Sequence, residues 1–130
     1  MEVLEVKTRS RTEMANITYQ VQAVIEQSGI TEGTAVVYTP HTTAAITINE
    51  SADPDVVRDI LYETEKIIPF SDNYHHLEGN SAAHIKSSLF GASETLIIEN
   101  GRLQLGTWQG IFFCEFDGPR RRKVWIKITA

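Results

Sequence analysis

A chain of 130 residues with 42% hydrophobic and 22% charged residues has room for one compact core and hardly for two, and this composition excludes a disordered or fibrous protein. A net charge of -5 with a pI near 5.3 argues against a general nucleic-acid binder, whose affinity rests on a clustered positive face. The one local exception is the basic run "PRRRK" at 119–123.

The opening "MEVLEVKTRSRTEM" lacks the basic-then-apolar pattern of a secretory signal, and no stretch approaches the roughly eighteen consecutive apolar residues of a membrane span. Cys114 is the single cysteine, so no internal disulfide is available and a reducing compartment fits best. A cytoplasmic protein is the expectation. Residues 2–8 mix Val3, Leu4 and Val6 with charges, as an opening strand at a sheet edge does. From Thr12, apolar residues recur at Met14, Ile17, Val21, Val24 and Ile25, which predicts an amphipathic helix capped by Thr12 and stopped by Gly29. The stretch "GTAVVYTPHTTAAITINE", 33–50, is rich in β-branched and small apolar residues. Pro40 would interrupt a central ladder, so two strands or one bent strand are expected, with His41 at the break. Asp53 as N-cap and Pro54 at the first helical position open a second helix, which sets Val56, Ile60, Leu61, Thr64 and Ile67 on one face and ends before Pro69.

The polar segment 69–80, roughly a dozen residues, is long for a plain connection. "SAAHIKSSLFG" predicts a short third helix, capped by Asn80 or Ser81, with His84 in its first turn and Gly91 as its stop. "ETLIIENGRLQLG" carries Asn100-Gly101 between two apolar runs, the strongest short-range hairpin signal. "GIFFCEFDGPRRRKVWIKIT" adds two strands joined around Asp117 to Arg120, so a four-stranded meander is expected to close the chain. The fold class predicted is α+β in one domain, 1–130, with a largely antiparallel sheet or two sheets under the helices. A doubly wound nucleotide fold is not expected, because the chain has neither a Walker glycine loop nor GxGxxG.

Three of the four histidines fall within "YHHLEGNSAAH", 74–84. Their spacing matches neither a zinc finger nor HExxH. Yet His41 at a strand break, His76 in a long loop and His84 at a helix start are a common way to build an open three-nitrogen site for a divalent metal such as zinc. His75 is the surface histidine of the set. Glu50 and Glu78 are candidates for acid/base work or for orienting a histidine, whereas Asp53 before Pro54 is most simply a cap. Trp108 can stack on a flat ring, although tryptophan is more often core, and Gln109 offers donors and an acceptor. Arg120 can clamp a phosphate, and Asn80 with the first amides of the third helix makes an anion site, with Lys86 one turn further on. Together these residues point to a small phosphorylated ligand. Cys114, in the apolar run "IFFCEF", reads as a buried inert thiol because no basic residue flanks it.

"HTTAAITINESADPDV", "HLEGNSAAHIKSSLFG" and "GRLQLGTWQGIFFCEFDGPR" resemble, in the same order and over nearly the whole chain, the YjbQ-like family, also called the secondary thiamine-phosphate synthase family. The resemblance implies an α+β fold with a β-sandwich core and a homotrimer about a threefold axis, with sites near subunit boundaries. It also implies a histidine-lined metal pocket and a weak activity joining hydroxymethylpyrimidine diphosphate to a thiazole phosphate. His41, Asn49, Glu50, Asp53, His76, Glu78, His84, Trp108, Gln109 and Glu115 fall on the family pattern. The expectation is therefore a metal on His41, His76 and His84, acid/base chemistry by Glu50 or Glu78, and a substrate site of Asn49, Asn80, Trp108, Gln109 and Arg120. A non-catalytic binding protein for a phosphorylated metabolite or metal, and a metal-dependent hydrolase, are the alternatives.

Overall fold

The computed structural model describes residues 1–130. Its elements run β1 (Glu2–Lys7), β2 (Glu13–Asn16), α1 (Thr18–Ser28), β3 (Gly33–Tyr38), β4 (Ala44–Glu50), α2 (Pro54–Ile67), α3 (Ser81–Phe90), β5 (Ser93–Glu99), β6 (Arg102–Leu103), β7 (Gln109–Glu115) and β8 (Arg121–Thr129). The strands form a five-stranded sheet in the order β1-β8-β3-β5-β6 and a three-stranded sheet in the order β2-β7-β4. Every strand pair is antiparallel.

The alternation along β3, β5 and β8 sends Ala35, Val37, Leu96, Ile98, Val124 and Ile126 into a main core, where they meet Ile46, Ile111 and Phe113 of the smaller sheet and Val21, Val24 and Ile25 of α1. β7 is buried on both faces from Gly110 onward, because its other side turns Phe112 and Cys114 toward a second core under α2 and α3, with Met14, Ala45, Ala83 and Phe116. A strand covered on both sides reads as a continuous apolar run rather than as an alternation. That is why "GIFFCEF" looks as it does. The layers are thus large sheet, small sheet and a helical layer of α2 and α3, the α+β class expected.

Two expectations about the elements are corrected. The helix expected from Thr12 begins only at Thr18, and Glu13–Asn16 is a strand instead, with Met14 opposite Cys114 and Asn16 opposite Phe112. The three-residue step from Met14 to Ile17 fits a helix, but the open edge of β7 offers the backbone a ladder, and pairing overrides the local pattern. Asn16 then starts the helix, its Oδ1 accepting from the Thr18 amide at 3.0 Å and from the Thr18 hydroxyl at 2.6 Å. The closing meander does not form either. β7 pairs with β2 and β4 while β8 pairs with β1 and β3, since β7 needs two covered faces and β8 alternates.

The hairpin at Asn100-Gly101 is present, with both residues at positive φ, 53° and 73°, as a two-residue turn between right-twisted strands requires. Asp53 caps α2 by accepting from the Asp55 amide at 2.9 Å, with Pro54 in the first turn. Gly29 ends α1 in the left-handed conformation. Asn80 precedes α3 without a side-chain cap; its amide is used elsewhere.

Besides residues 8–12, which link β1 to β2, the chain passes between the two sheets at one end of the sandwich in two further places. Thr39–Thr43 links β3 to β4, which explains the break at Pro40, and Phe116–Arg120 links β7 back to β8. The crossing at 116–120 is tight. A Cβ on Gly118 would lie 2.4 Å from the Ser10 carbonyl and 2.8 Å from Cγ of Glu115. Gly118→Ala is therefore expected to lower stability by about 1–3 kcal/mol, seen as a lower urea midpoint with an unchanged slope.

Candidate functional site

The crossings at 39–43 and 116–120, the Asn80 end of α3 and the preceding loop enclose an open cleft of about 580 Å³, lined by polar side chains and Pro40, among them His41, Glu78, Asn80, His84, Asp117 and Arg120. A second cleft of about 640 Å³ adjoins it and shares Pro40, His41, Thr42 and His84, adding Tyr38, Ser87 and Ser88. His41, Glu78, Asn80, His84 and Arg120 thus come together from the sequence-derived set.

Under the cleft lies an ion pair in the protein interior. Glu115 has no exposed surface and Arg122 is 3% exposed. The Glu115 carboxylate accepts at Oε1 from Arg122 Nε at 2.9 Å and from the Thr8 hydroxyl at 2.7 Å. Its Oε2 accepts from Arg122 Nη2 and from the Asp117 amide at 3.1 Å. Arg122 Nη2 also donates to the Thr43 hydroxyl at 2.8 Å. One bidentate pair therefore ties the start of β8 to the end of β7, to the 39–43 crossing and to the segment after β1. Burial pushes the Glu115 carboxyl up, but the Arg122 guanidinium, the Thr8 hydroxyl and the Asp117 amide outweigh it and hold it below the usual carboxylate range.

On this base stands a second polar chain. Asp117 accepts from Asn80 Nδ2 at 3.0 Å and from Arg120 Nη2 at 3.1 Å, while Arg120 Nε donates to the Asp117 carbonyl at 3.0 Å. Arg120 is thus held to its own turn and leaves Nη1 free. The Oδ1 of Asn80 is buried with no partner, so the cleft wall retains an acceptor awaiting a donor.

The histidines divide. His76 and His84 meet edge to face with centroids 5.5 Å apart, and His76 Nε2 lies 3.8 Å from Glu78. His41 Nε2 accepts the Lys123 amide at 2.8 Å. Burial and the nearby Arg122 lower its pKa. His75 is exposed, as expected. His76 and His84 are of the right type and near enough to share a metal. His41 does not suit it, because its Nε2 is already an acceptor, and no three His, Cys, Asp or Glu side chains converge on a point. The three-nitrogen set is not assembled within the chain.

Asn49, Glu50, Trp108 and Gln109 lie elsewhere. β4 pairs with β7 so that Ala44 faces Glu115 while Asn49 faces Gly110 and Glu50 faces Gln109. At about 3.3 Å per residue, this second group stands roughly 20 Å from the His41 end. Glu50 accepts the Asp53 amide at 3.2 Å, and the Trp108 carbonyl accepts the Ser51 amide at 2.8 Å. Gln109 accepts from the Gly106 amide at 2.8 Å. Trp108 is 62% exposed and is not core.

Lys86 is also displaced from its expected role at an anion site. It is 3% exposed and donates to Glu65 at 2.6 Å, fastening α3 to α2. Reading the residues alone missed Asp117, Thr43, Thr8 and Arg122, and Glu115 entered only through the family resemblance. A signal for Arg122 was present: in strand β8, Arg121 and Lys123 face out while Arg122 and Val124 alternate inward. The strand thus divides the basic run between two faces.

This architecture, two antiparallel sheets exchanging strands under a helical layer, is that of a known group of small proteins. The UPF0047 protein YjbQ-like family model matches residues 2–130, and the chain belongs to this YjbQ/UPF0047 family. It is 55% identical to the UPF0047 protein YugU of Bacillus subtilis, covering 100% of this chain and 99% of YugU. With a UPF0047 protein of Methanocaldococcus jannaschii it shares 56% identity over 97% of this chain and 91% of that protein. The crystal structure of an uncharacterised yjbq/upf0047 protein of Clostridium acetobutylicum, 55% identical, superposes with a TM-score of 0.98 over 99% of this chain and 100% of the other. No helix is long and apolar enough to cross a membrane.

Two outcomes are expected. Glu115→Ala, which leaves Arg122 buried and unpaired, should lower stability by about 3–5 kcal/mol in urea unfolding. Because the folded-state pKa of Glu115 is depressed, its contribution is present above the unfolded value near 4.3 and lost as the pH falls through the folded value. Stability measured downward from pH 5 should fall less steeply in Glu115→Gln. Second, burial alone raises the Cys114 thiol to about 12, so a thiol reagent should modify it only at the rate of unfolding.

Proposed function

We propose that this chain is a low-activity transferase of the secondary thiamine-phosphate synthase type, joining hydroxymethylpyrimidine diphosphate to a thiazole phosphate at the His41 cleft. The cleft itself carries the reading: a polar space of about 580 Å³ lined by His41, His84 and Arg120 suits a small phosphorylated substrate. A departing diphosphate is stabilised best by donors already in place. Arg120 keeps Nη1 free, and the Ser81 and Ala82 amides at the start of α3 have no acceptor in the chain. Glu78 stands on the cleft and is the acid/base candidate within one chain.

Under this reading the protein is a homotrimer in which Asn49, Glu50, Trp108 and Gln109 of one copy complete the cleft of the next, and Trp108 stacks on the pyrimidine. The exposure of Trp108 and the distance of this group from His41 support the sharing. A divalent metal, zinc by donor type, is assigned to the His76 and His84 pair, and no step of the transfer is routed through it. A cytoplasmic setting goes with the single buried thiol.

One observation favours a second reading, a binding protein without turnover. The carboxylates at the cleft are either paired, Asp117 with Arg120 and Glu115 with Arg122, or exposed, as Glu78 is, which leaves no acid or base held in place for turnover.

Mass spectrometry of untagged protein incubated with both substrates should detect thiamine phosphate at a low rate. Saturable binding by calorimetry with no product at high protein concentration would select the binding protein. Mixed trimers of Glu50→Gln and His84→Ala chains should recover activity that neither variant has alone; no recovery would refute the shared site. Elemental analysis should find metal that His76→Ala and His84→Ala lose, and its retention by both would sink the ligand assignment.

A further inference from the structure

His41 sits where β3 stops. β3 pairs with β8 as far as Tyr38 opposite Trp125, while on its other side β8 stays paired with β1 down to Lys7 opposite Arg121. On the β3 side the ladder therefore ends before Lys123. The Lys123 amide finds its acceptor in the ring of His41, at Nε2, 2.8 Å away. A side chain has taken over the place of the next strand carbonyl.

This bond determines the state of the ring. A backbone amide keeps its hydrogen, so Nε2 must present a lone pair, and in an uncharged imidazole the proton then sits on Nδ1. The doubly protonated ring would oppose one N–H with another. Burial and Arg122 disfavour that form as well. Nδ1 itself makes no hydrogen bond within the chain and is not among its buried unpartnered atoms. The side chain that carries it lines both clefts, as does His84.

We propose that His41 is a tautomer-locked Nδ1–H donor to an oxygen of a diphosphate group at the junction of the two clefts, and is neither a metal ligand nor a general base. The proposal rests on the reading of the cleft as an anion site. Metal binding or proton abstraction at Nδ1 requires a lone pair there, which puts the proton on Nε2, against the Lys123 amide. A diphosphate oxygen requires only the donor that Nδ1–H already offers. The other cationic groups facing the ring are Arg120, Arg122 and the Lys123 side chain, and the facing anion is Glu115.

The test uses the full chain with ¹⁵N-labelled histidine at neutral pH and inorganic pyrophosphate as probe. Long-range ¹H–¹⁵N spectra, assigned by the loss of signal in His41→Asn, should show His41 protonated at Nδ1 and bare at Nε2 before any addition. Pyrophosphate should then shift the Nδ1 signal. His41→Ala should weaken pyrophosphate binding roughly 10-fold or more, the effect of losing a hydrogen bond to a charged group. His41→Asn, whose amide N–H stands where Nδ1–H was, should retain affinity within about threefold by the same measure, and zinc content should be unchanged in both. A proton on Nε2, or an Asn variant as weak as the Ala variant, overturns the donor assignment. A locked tautomer with no pyrophosphate binding refutes the anion reading above and the ligand half of this proposal, while the lock itself stands.

Discussion

The Glu115–Arg122 pair is the interaction on which this end of the molecule depends. Two charges in a nearly waterless interior are expensive to desolvate, and only complete, well-aligned hydrogen bonding offsets that cost. Here both carboxylate oxygens and the Nε and Nη2 of Arg122 are engaged, because Thr8, Thr43 and the Asp117 amide join the pair. Each of those partners comes from a different segment. The pair thereby converts a local electrostatic requirement into a positional one: all three inter-sheet crossings at this end and the start of β8 must occupy fixed relative places. The sandwich exchanges its strands at the same end, so the cleft is a consequence of that exchange. Gly118, with no room for a Cβ, is the backbone counterpart of the same tightness.

The cleft built on this base is rich in hydrogen-bond donors and poor in free charge. Arg120 is held by Asp117, Arg122 by Glu115, and Lys86 is withdrawn to Glu65. What remains for a ligand is directional: Nη1 of Arg120, the ring of His84 and the Nδ1–H of His41. Such a site recognises an anion by geometry more than by net attraction, which accords with a protein of charge -5. The contrast between the rigid floor and the loop above it has the same origin. Residues 75–79 make no hydrogen bonds to the body, whereas the atoms beneath are bonded through four segments, so His76 and Glu78 are the adaptable members of the set.

Much of the chain was legible in advance, for identifiable reasons. α2 followed from Asp53-Pro54 and its apolar stripe, the β5 hairpin from Asn100-Gly101, and the strand break from Pro40, because each rests on the conformational limits of one or two residues. β2 was not legible: four residues, Glu13–Asn16, pair only because β7 has a free edge. The meander failed because β7 is covered on both faces, a property of the layers. The site divided along the same line. That His41, His76 and His84 were notable was plain from residue type, but their separation was not, and neither was the roughly 20 Å between Glu50 and His41 along an antiparallel pair.

By itself the amino-acid sequence determined the class of fold, the limits of α2 between its Asp53 cap and Pro69, the stops of α1 and α3 at Gly29 and Gly91, the burial of Cys114, and the kinds of side chain available for chemistry. These follow from local sterics and from periodicity, which act over a few residues. Tertiary structure alone decided which polar groups meet: Arg122 with Glu115, Asn80 with Asp117, Lys86 with Glu65, and the ring of His41 with the amide of Lys123. The meetings of Arg122, Glu115 and the Lys123 amide are set by strand register, where a shift of one residue would turn the strand side chains to the opposite face, and that of Lys86 with Glu65 by the packing of α3 beside α2.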